Sequence, residues 1–173
     1  MEKLSFYQNK IIATLQNVSF AKAPLELYEP IDYILSIGGK RIRPSLLLTA
    51  YHMFDENVDY AINAALAVEV FHNFTLLHDD LMDKASVRRN MPTVHKKWND
   101  SVAILSGDAM LIQAYELLFT YSFDNLHEIM QFFNKTALKV CEGQQYDMNF
   151  QHDSTVTVEK YLMMIELKTA ALI

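Results

Sequence analysis

The sequence is poor in cysteine, glycine and proline, with one Cys, four Gly and four Pro among 173 residues. The single Cys141 excludes an internal disulfide and a CxxC metal site, and it fits a reducing compartment, so we predict a cytoplasmic protein. The scarcity of Gly and Pro, beside stretches rich in Ala, Leu, Met, Glu and Gln, favours long helices over short strands joined by tight turns. The expected fold class is all-α.

Basic charge is also in deficit, and long uncharged apolar runs are missing. Lys and Arg number 15 against 21 Asp and Glu, a formal net charge of -6, so the chain lacks the dominating basic surface that nucleic acid requires. No apolar run reaches about 18 uncharged residues. Residues 1–10 also lack a basic region followed by an apolar one. We therefore predict no nucleic-acid binding, no signal peptide and no membrane span.

Hydrophobic side chains make up 51% of the chain, enough for one sizeable core, and we predict a single domain over residues 1–173. Apolar residues recur at helical spacing along most of the sequence. The predicted helices cover residues 4–18, 28–37, 44–54, 58–83 and 98–118, with two more beginning near residues 126 and 157. The densely charged residues 84–92 are predicted to form a loop. The last helix stops in mid-pattern, so we expect the 173 residues to be a piece of a longer chain.

The strongest local signal is the run HDDLMD at residues 78–83, near the end of a long predicted helix. On a helix, Asp79, Asp80 and Asp83 fall within an arc of about 100° and an axial span of roughly 6 Å. Like charges this close repel one another, and the C-terminal end of a helix disfavours negative charge, so the group needs a cation. Hard oxygen ligands with room for water and phosphate fit Mg²⁺. A solvated acidic helix end is the alternative interpretation.

Two basic clusters complete the pattern: GGKRIRP at residues 38–44 and the pair Arg88-Arg89. Three cations at the entrance to a helix favour phosphate binding, because helix N-termini present free N–H groups and positive potential. Either cluster alone is more typical of a solvated surface. Together with three aspartates, the two clusters predict a polyphosphate held by metal ions and guanidinium groups.

These motifs, in this order and spacing, resemble those of the trans-isoprenyl diphosphate synthases, the polyprenyl synthetase family. The matching segments are residues 38–44, 79–83, 88–89, Ser106-Gly107-Asp108, Gly143-Gln144 and Lys168-Thr169. The resemblance implies an isoprenoid-synthase-like helical bundle around a central cavity. It also implies a homodimer, for which the helix at residues 98–118 is a candidate interface.

The activity implied by the resemblance is a Mg²⁺-dependent prenyl transfer. An allylic diphosphate ionises, isopentenyl diphosphate attacks the carbocation head to tail, and a proton is lost. Bulk just before the aspartates implies short all-trans products of C15 to C20, such as farnesyl or geranylgeranyl diphosphate. The residues implied to limit chain length are Phe74 and Thr75.

The resemblance also assigns roles residue by residue. The metal-binding residues are Asp79, Asp80 and Asp83, with Asp79 and Asp83 as direct ligands. The isopentenyl diphosphate is implied to rest on Lys40, Arg43, His72 and Arg89. The allylic diphosphate is implied to meet Arg88, Lys168 and Thr169, with Gln144 and Asp147 near the reacting end. The catalytic set is Asp79, Asp80, Asp83, Arg88 and Lys168.

The family's second aspartate-rich motif normally follows the segment that matches Lys168-Thr169, and the printed sequence ends before it. We therefore expect the 173-residue polypeptide to be inactive or nearly so by itself. A non-catalytic subunit of a heteromeric prenyl synthase is an alternative function. Such a subunit is expected to lose metal or diphosphate ligands, whereas this sequence keeps the first aspartate motif and every cationic residue.

A di-metal carboxylate bundle is a further alternative, since Glu69-Val70-Phe71-His72 has the Glu-x-x-His spacing that such sites use. That design requires a second Glu-x-x-His and two more glutamates. No second copy occurs in the sequence, so we disfavour this alternative.

Overall fold

Helices dominate the computed structural model, which describes residues 2–20, 22–121 and 125–173, apart from the side chains of residues 2 and 3. The α-helices of these residues are α1 (Glu2–Asn17), α2 (Leu25–Ser36), α3 (Ile42–Tyr51), α4 (Ile62–Met82), α5 (Val94–Lys97), α6 (Asp100–Phe119), α7 (Leu126–Phe150) and α8 (Val158–Lys168). Short 3₁₀ helices occur at Val58–Ala61 and Ala170–Leu172. The predicted all-α fold class is confirmed.

The prediction of a plain loop over residues 84–92 was wrong, because this segment contains a small antiparallel ribbon. Strands β1 (Val87–Arg88) and β2 (Met91–Pro92) pair Val87 with Pro92 and Arg88 with Met91. The two residues between them, Arg89 and Asn90, have φ angles of 52° and 65°. Two consecutive residues in the left-handed region give the turn a backbone twist that matches the twist of the two paired strands. Sequence analysis did not predict this ribbon, because the turn has no Gly and each strand has only two residues.

Two helix starts differ from the predicted ones where a proline or a polar cap decides the boundary: α2 begins at Leu25, directly after Pro24, where residue 28 was predicted. Helix α6 begins at Asp100, two residues later than predicted, because the side chain of Asn99 caps it by accepting a hydrogen bond from the Val102 amide at 2.9 Å. Trp98 thus lies outside the helix. Helix α8 begins where predicted, with Thr157 as its N-cap.

The helices group into two compact units, residues 1–120 and 121–173. In the first unit, α4 packs along α6, α6 also contacts α2, and α3 packs between α1 and α4. A cluster of buried side chains joins α1, α3 and the start of α4; its members are Tyr7, Ile11, Leu48, Val58, Ala61 and Ala65. This packing fixes the positions of α3 and α4, which carry most of the predicted site residues.

Close contact between α4 and α6 depends on Gly107. A Cβ atom at this position would overlap the imidazole ring of His78. The ring can therefore occupy its place because residue 107 has no side chain. The His78 Nε2 atom also lies 3.2 Å from the carbonyl oxygen of Ile104, within hydrogen-bonding distance. His78, which directly precedes the aspartates, therefore fixes the end of α4 against α6.

Helix α6 is long and apolar enough to cross a membrane by length and composition, with a mean hydropathy of 1.4 over its most apolar window. It is the only such helix in the described parts of the chain. A core helix passes the same test, and α6 packs against both α2 and α4. The expected absence of a membrane span therefore stays a prediction.

In the second unit, α7 packs against α8 and the 3₁₀ turn that follows it. Gly143 on α7 lies so close to α8 that a Cβ atom would overlap the backbone nitrogen of Lys168. Backbone atoms cannot move aside as a flexible side chain can. This glycine therefore sets the approach of the end of α8 to α7.

Gly107→Ala should destabilise the first unit. Overpacking against His78 costs about 1–3 kcal/mol, and the better helix propensity of Ala offsets about 1 kcal/mol. Because the His78 ring is also held by Ile104 and Phe74 and cannot move aside freely, we expect a cost in the upper part of that range, and therefore a net fall in the free energy of unfolding of about 1–2 kcal/mol. Urea denaturation followed by the fluorescence of Trp98, the single tryptophan, measures the change in this unit.

The exposed Ser101 on the same helix provides the control substitution, Ser101→Ala. Adding His78→Ala to Gly107→Ala should restore part of the lost stability, because the overlapping ring is then gone. Equal stability of Gly107→Ala and the wild type would contradict the proposed packing.

Candidate functional site

The basic segment after α2 is a tight turn that relies on left-handed backbone angles. Gly38 and Gly39 have φ angles of 87° and 143°, and Arg41 has a φ of 46°. The two glycines adopt such angles without steric cost. Arg41, in contrast, needs compensating contacts to hold its conformation.

Those contacts are made by the buried guanidinium of Arg41, which is 6% exposed. It forms an ion pair with Glu69 of α4 and donates a hydrogen bond to the carbonyl oxygen of Leu35 at the end of α2. The Asn73 side-chain amide donates to the same Glu69 carboxylate at 2.9 Å. Arg41 thus ties the turn to α2 and α4 at once.

Glu69 is 3% exposed and paired with an arginine, so it is used in the structure as a counter-ion. Among the described residues, no group of three or more His, Cys, Asp or Glu side chains is arranged to hold a metal ion. The di-metal alternative raised by the Glu-x-x-His spacing therefore has no structural support.

Beside Arg41 lies a pocket of about 480 Å³ that brings the predicted isopentenyl diphosphate residues together. Its lining residues are Gly39, Lys40, Arg41, Ile42, Arg43, Glu69, His72 and Arg89. Lys40, Arg43, His72 and Arg89 come from three separate segments, and all four line this one pocket. Four cations against one paired carboxylate make its walls strongly positive.

The turn between β1 and β2 places Arg89 directly against the glycine turn. A Cβ atom on Gly39 would lie 2.5 Å from the Arg89 Nη1 atom, so a side chain at this position would displace the guanidinium from its place. Burial, followed by the charges of Arg41 and Arg88, lowers the pKa of Arg89 from its ordinary value. The crowding of cations is itself unfavourable, and an anion in the pocket would relieve it.

His72 lies among these cations as a neutral side chain. Its Nε2 atom is 3.5 Å from the Arg43 Nη1 atom. Burial, then the neighbouring charges of Arg43, Arg89, Arg88 and Arg41, lower the pKa of His72 from 6.5 to about 3. Near neutral pH the imidazole is therefore uncharged and can accept a hydrogen bond from Arg43.

The three aspartates at the end of α4 occupy different environments. Asp80 is 4% exposed, and its two oxygens accept from the Arg88 Nε and Nη2 atoms at 2.6 and 2.8 Å. Asp79 is half-buried, with Oδ2 3.6 Å from the Arg88 Nη2 atom, and Asp83 is exposed. Asp79 and Asp83 lie one turn apart on the same helix face; Asp79 and Asp80 both lie within ion-pair distance of Arg88, and Asp83 is the exposed one of the three.

Oxygen donors at Asp79 and Asp83 fit Mg²⁺, which typically takes one or two protein carboxylates and completes its shell with water and phosphate oxygens. Asp80 fits a metal-ligand role less well, because both of its oxygens already accept from Arg88. The three predicted metal ligands thus differ: both oxygens of Asp80 accept from Arg88, Asp79 has one oxygen near the same guanidinium, and Asp83 is exposed.

The second unit holds the other predicted residues, Gln144, Asp147, Lys168 and Thr169. The Lys168 Nζ atom lies 2.6 Å from the Asp147 Oδ2 atom, an ion pair between α8 and α7. Gly143 permits this pair by allowing the end of α8 to come close. Gln144 is half-buried on α7 and Thr169 is exposed just beyond α8. Within this unit, the structure brings Asp147 and Lys168 together.

The residues predicted to limit chain length lie on α4. The Phe74 ring packs edge-on against His78, with ring centroids 4.8 Å apart, and against Phe71 at 5.6 Å. The Thr75 hydroxyl donates to the carbonyl oxygen of His72, on its own helix, at 2.8 Å. Phe74 is thus held in a defined orientation one turn before His78.

The comparison with protein families decides the classification, because the model of the polyprenyl synthetase family matches residues 24–173. The chain belongs to this family. The match spans both compact units.

Individual relatives agree with the family assignment. The geranylgeranyl diphosphate synthase of Methanosarcina mazei is 42% identical over 151 residues, covering 86% of this chain and 47% of the relative. The geranylfarnesyl diphosphate synthase of Natronomonas pharaonis is 37% identical over 168 residues, covering 86% and 49%. A crystal structure of a geranylgeranyl pyrophosphate synthase superimposes with a TM-score of 0.93 at 49% identity, covering 98% and 52%. The chain spans about half the length of these relatives.

Sequence analysis missed the roles of Arg41 and Glu69. Arg41 was part of a cationic motif, but the sequence could not show that its side chain points inward. Glu69 was noted only for its spacing from His72. A charged residue within an apolar helical stretch, here between Val68 and Val70, was the available signal. Such residues are rarely buried unless they are paired.

Replacing His72 should remove a component of acid destabilisation. Because the pKa falls from 6.5 to about 3 on folding, the unfolded chain binds more protons between these values. The free energy of unfolding therefore decreases as pH falls from about 6.5 towards 3. We expect His72→Gln to show a shallower decrease than the wild type when urea midpoints, read by Trp98 fluorescence, are compared across this range.

The exposed His152 supplies the control variant His152→Gln, which should follow the wild type. Parallel pH profiles for His72→Gln and the wild type would contradict a neutral, cation-surrounded His72.

Proposed function

We propose that the protein is a trans-prenyltransferase that condenses isopentenyl diphosphate head to tail with an allylic diphosphate. The observation that carries the proposal is the positive pocket lined by Lys40, Arg43, His72 and Arg89. Its size suits a small diphosphate rather than a macromolecular polyanion. Membership of the polyprenyl synthetase family supports the same activity.

In this proposal, the pocket binds isopentenyl diphosphate. The guanidinium groups of Arg43 and Arg89 and the ammonium of Lys40 neutralise its negative charge, and charge-assisted hydrogen bonds of this kind are about twice as strong as neutral ones. His72 contributes a neutral imidazole that orients Arg43. Arg43 is the half-buried cation of the three, and a bound anion would compensate the charge that burial leaves partly desolvated there.

The allylic substrate is proposed to ionise at the acidic end of α4. Asp79 and Asp83 would hold Mg²⁺, which supplies neutralisation of the diphosphate charge that develops as the carbon–oxygen bond breaks. Asp80 orients Arg88 through two hydrogen bonds, so that the guanidinium is fixed before the reaction. Preorganised charge of this kind acts chiefly in the transition state.

The roles of Gln144, Asp147, Lys168 and Thr169 towards the allylic diphosphate belong to the same proposal and are supported by the family resemblance. So is the homodimer, whereas the proposed cytoplasmic location rests on the single cysteine. The whole protein's activity is proposed, since the chain spans about half the length of its relatives.

For the product, we propose a short all-trans chain of C15 to C20. The relatives named as geranylgeranyl diphosphate synthases support C20, and those named as geranylfarnesyl diphosphate synthases indicate that one further isoprene unit is accessible within the family. Phe74, fixed by His78 and Phe71, is the proposed limit to chain growth.

The proposal predicts a Mg²⁺-dependent product whose formation requires the aspartates in two different ways. We expect Asp79→Asn to lower kcat/KM by at least about 100-fold and to raise the Mg²⁺ concentration for half-maximal rate, since a metal ligand is altered. Asp80→Asn should lower kcat/KM by about 10- to 100-fold without changing the Mg²⁺ requirement, because it disturbs Arg88 instead.

The assay uses radiolabelled isopentenyl diphosphate with each allylic diphosphate from C5 to C15, and reads products by chain length, in the 173-residue chain and in any longer form of the protein. Glu116→Gln, an exposed carboxylate on α6, is the control and should match the wild type. Absence of product with every primer in a full-length form would favour the non-catalytic subunit.

A separate experiment tests the chain-length residue. Phe74→Ala removes a ring that packs on His78 and Phe71 and should lengthen the product by one or more isoprene units in a full-length enzyme. Phe119→Ala, a substitution of an exposed phenylalanine on α6, should leave the product unchanged. An unaltered product distribution in Phe74→Ala would show that the limit lies elsewhere.

A further inference from the structure

The two basic segments of the pocket belong to separate elements, and Tyr33 contacts the backbone at the end of α2, directly before the first segment, and the ribbon that carries the second. Its carbonyl oxygen accepts from the Ile37 amide at 3.2 Å, in the last turn of α2 directly before Gly38. Its hydroxyl donates to the carbonyl oxygen of Pro92 in β2 at 2.7 Å. One residue thus links the glycine turn to the ribbon that carries Arg89.

The ring of Tyr33 is held in place by neighbours. Trp98 meets it edge-on with ring centroids 5.3 Å apart, and the Lys97 ammonium lies 3.7 Å from the Tyr33 centroid and 4.7 Å from that of Trp98. Edge-to-face and cation–π contacts both restrict the ring. Burial raises the pKa of Tyr33 above its ordinary value, so the phenol stays protonated and able to donate at neutral pH.

A shift of the ribbon would move its two arginines unequally. Pro92 pairs with Val87 across the ribbon, so displacement of β2 carries the Arg89 turn with it. Arg88 has an independent anchor, its two hydrogen bonds to Asp80. The contact of Arg89 with Gly39 is therefore the feature most sensitive to the position of the ribbon.

We infer that Tyr33 is a positioning residue for the isopentenyl diphosphate pocket: its hydroxyl, through Pro92, sets the distance between Arg89 and the glycine turn. The inference rests on the proposed function for the identity of the ligand. It predicts a selective effect. Loss of the hydroxyl should weaken ligand binding in the pocket that contains Arg89, and it should leave the hydrogen bonds between Arg88 and Asp80 in place.

Tyr33→Phe tests the inference because it removes the hydroxyl and keeps the ring. We expect isopentenyl diphosphate to bind about fivefold more weakly by calorimetry, the effect of losing one hydrogen bond. Tyr28→Phe, on the same helix, is the matched control and should bind as the wild type does. In an enzyme form that turns over, KM for isopentenyl diphosphate should rise by the same factor, with kcat and the allylic KM unchanged.

A merely structural role would instead alter both KM values and kcat together, which would overturn the inference. Equal affinity of Tyr33→Phe and the wild type would also overturn it. If the wild type failed to bind isopentenyl diphosphate, the proposed function would fail, and NMR would still decide on Tyr33. The Gly39 amide and Arg89 Nε resonances should shift in Tyr33→Phe and not in Tyr28→Phe; unshifted resonances would refute the positioning role.

Discussion

The arrangement of the first unit depends on the buried ion pair between Arg41 and Glu69. A guanidinium taken out of water is costly unless a carboxylate and further acceptors compensate it, and here the Leu35 carbonyl and the Glu69 carboxylate do so. That compensation holds Arg41 in a left-handed conformation, which in turn fixes the glycine turn. Lys40 and Arg43, on either side, are then directed to the pocket. One buried pair, which itself lines the pocket, thus fixes the positions of the neighbouring cations.

Charge in this unit is separated into two kinds of region. The pocket gathers cations around a neutral His72, whereas the end of α4 gathers carboxylates around Arg88. Each region would be unfavourable alone, and each has one internal counter-charge, Glu69 among the cations of the pocket and Arg88 among the carboxylates at the end of α4. After these counter-charges are taken into account, the net charge of the pocket is positive and the net charge at the end of α4 is negative. This pattern suits a reaction between two diphosphates that need different partners, cations for one and metal ions for the other.

Helical periodicity was sufficient to predict the fold class and most helices, whereas the grouping of Lys40, Arg43, His72 and Arg89 was implied by the family resemblance. The sequence could not distinguish Asp80 from Asp79 and Asp83, because that difference arises from the fold of the ribbon, which brings Arg88 over one face of α4. The ribbon itself was hidden, since two-residue strands leave no periodicity and Arg89-Asn90 lacks a glycine. Helix starts were misplaced where a single side chain, such as Asn99, ends the preceding loop.

The neutrality of His72 also affects how the pocket discriminates between ionic forms of its ligand. Histidine is the only residue type lining the pocket whose ordinary pKa lies near neutral, and here that pKa is lowered to about 3. The histidine therefore does not alter the charge of the walls across physiological pH. For the proposed diphosphate ligand, any dependence of affinity on pH in that range would then follow the ionisation of its terminal phosphate, and the pocket would favour the more fully deprotonated form.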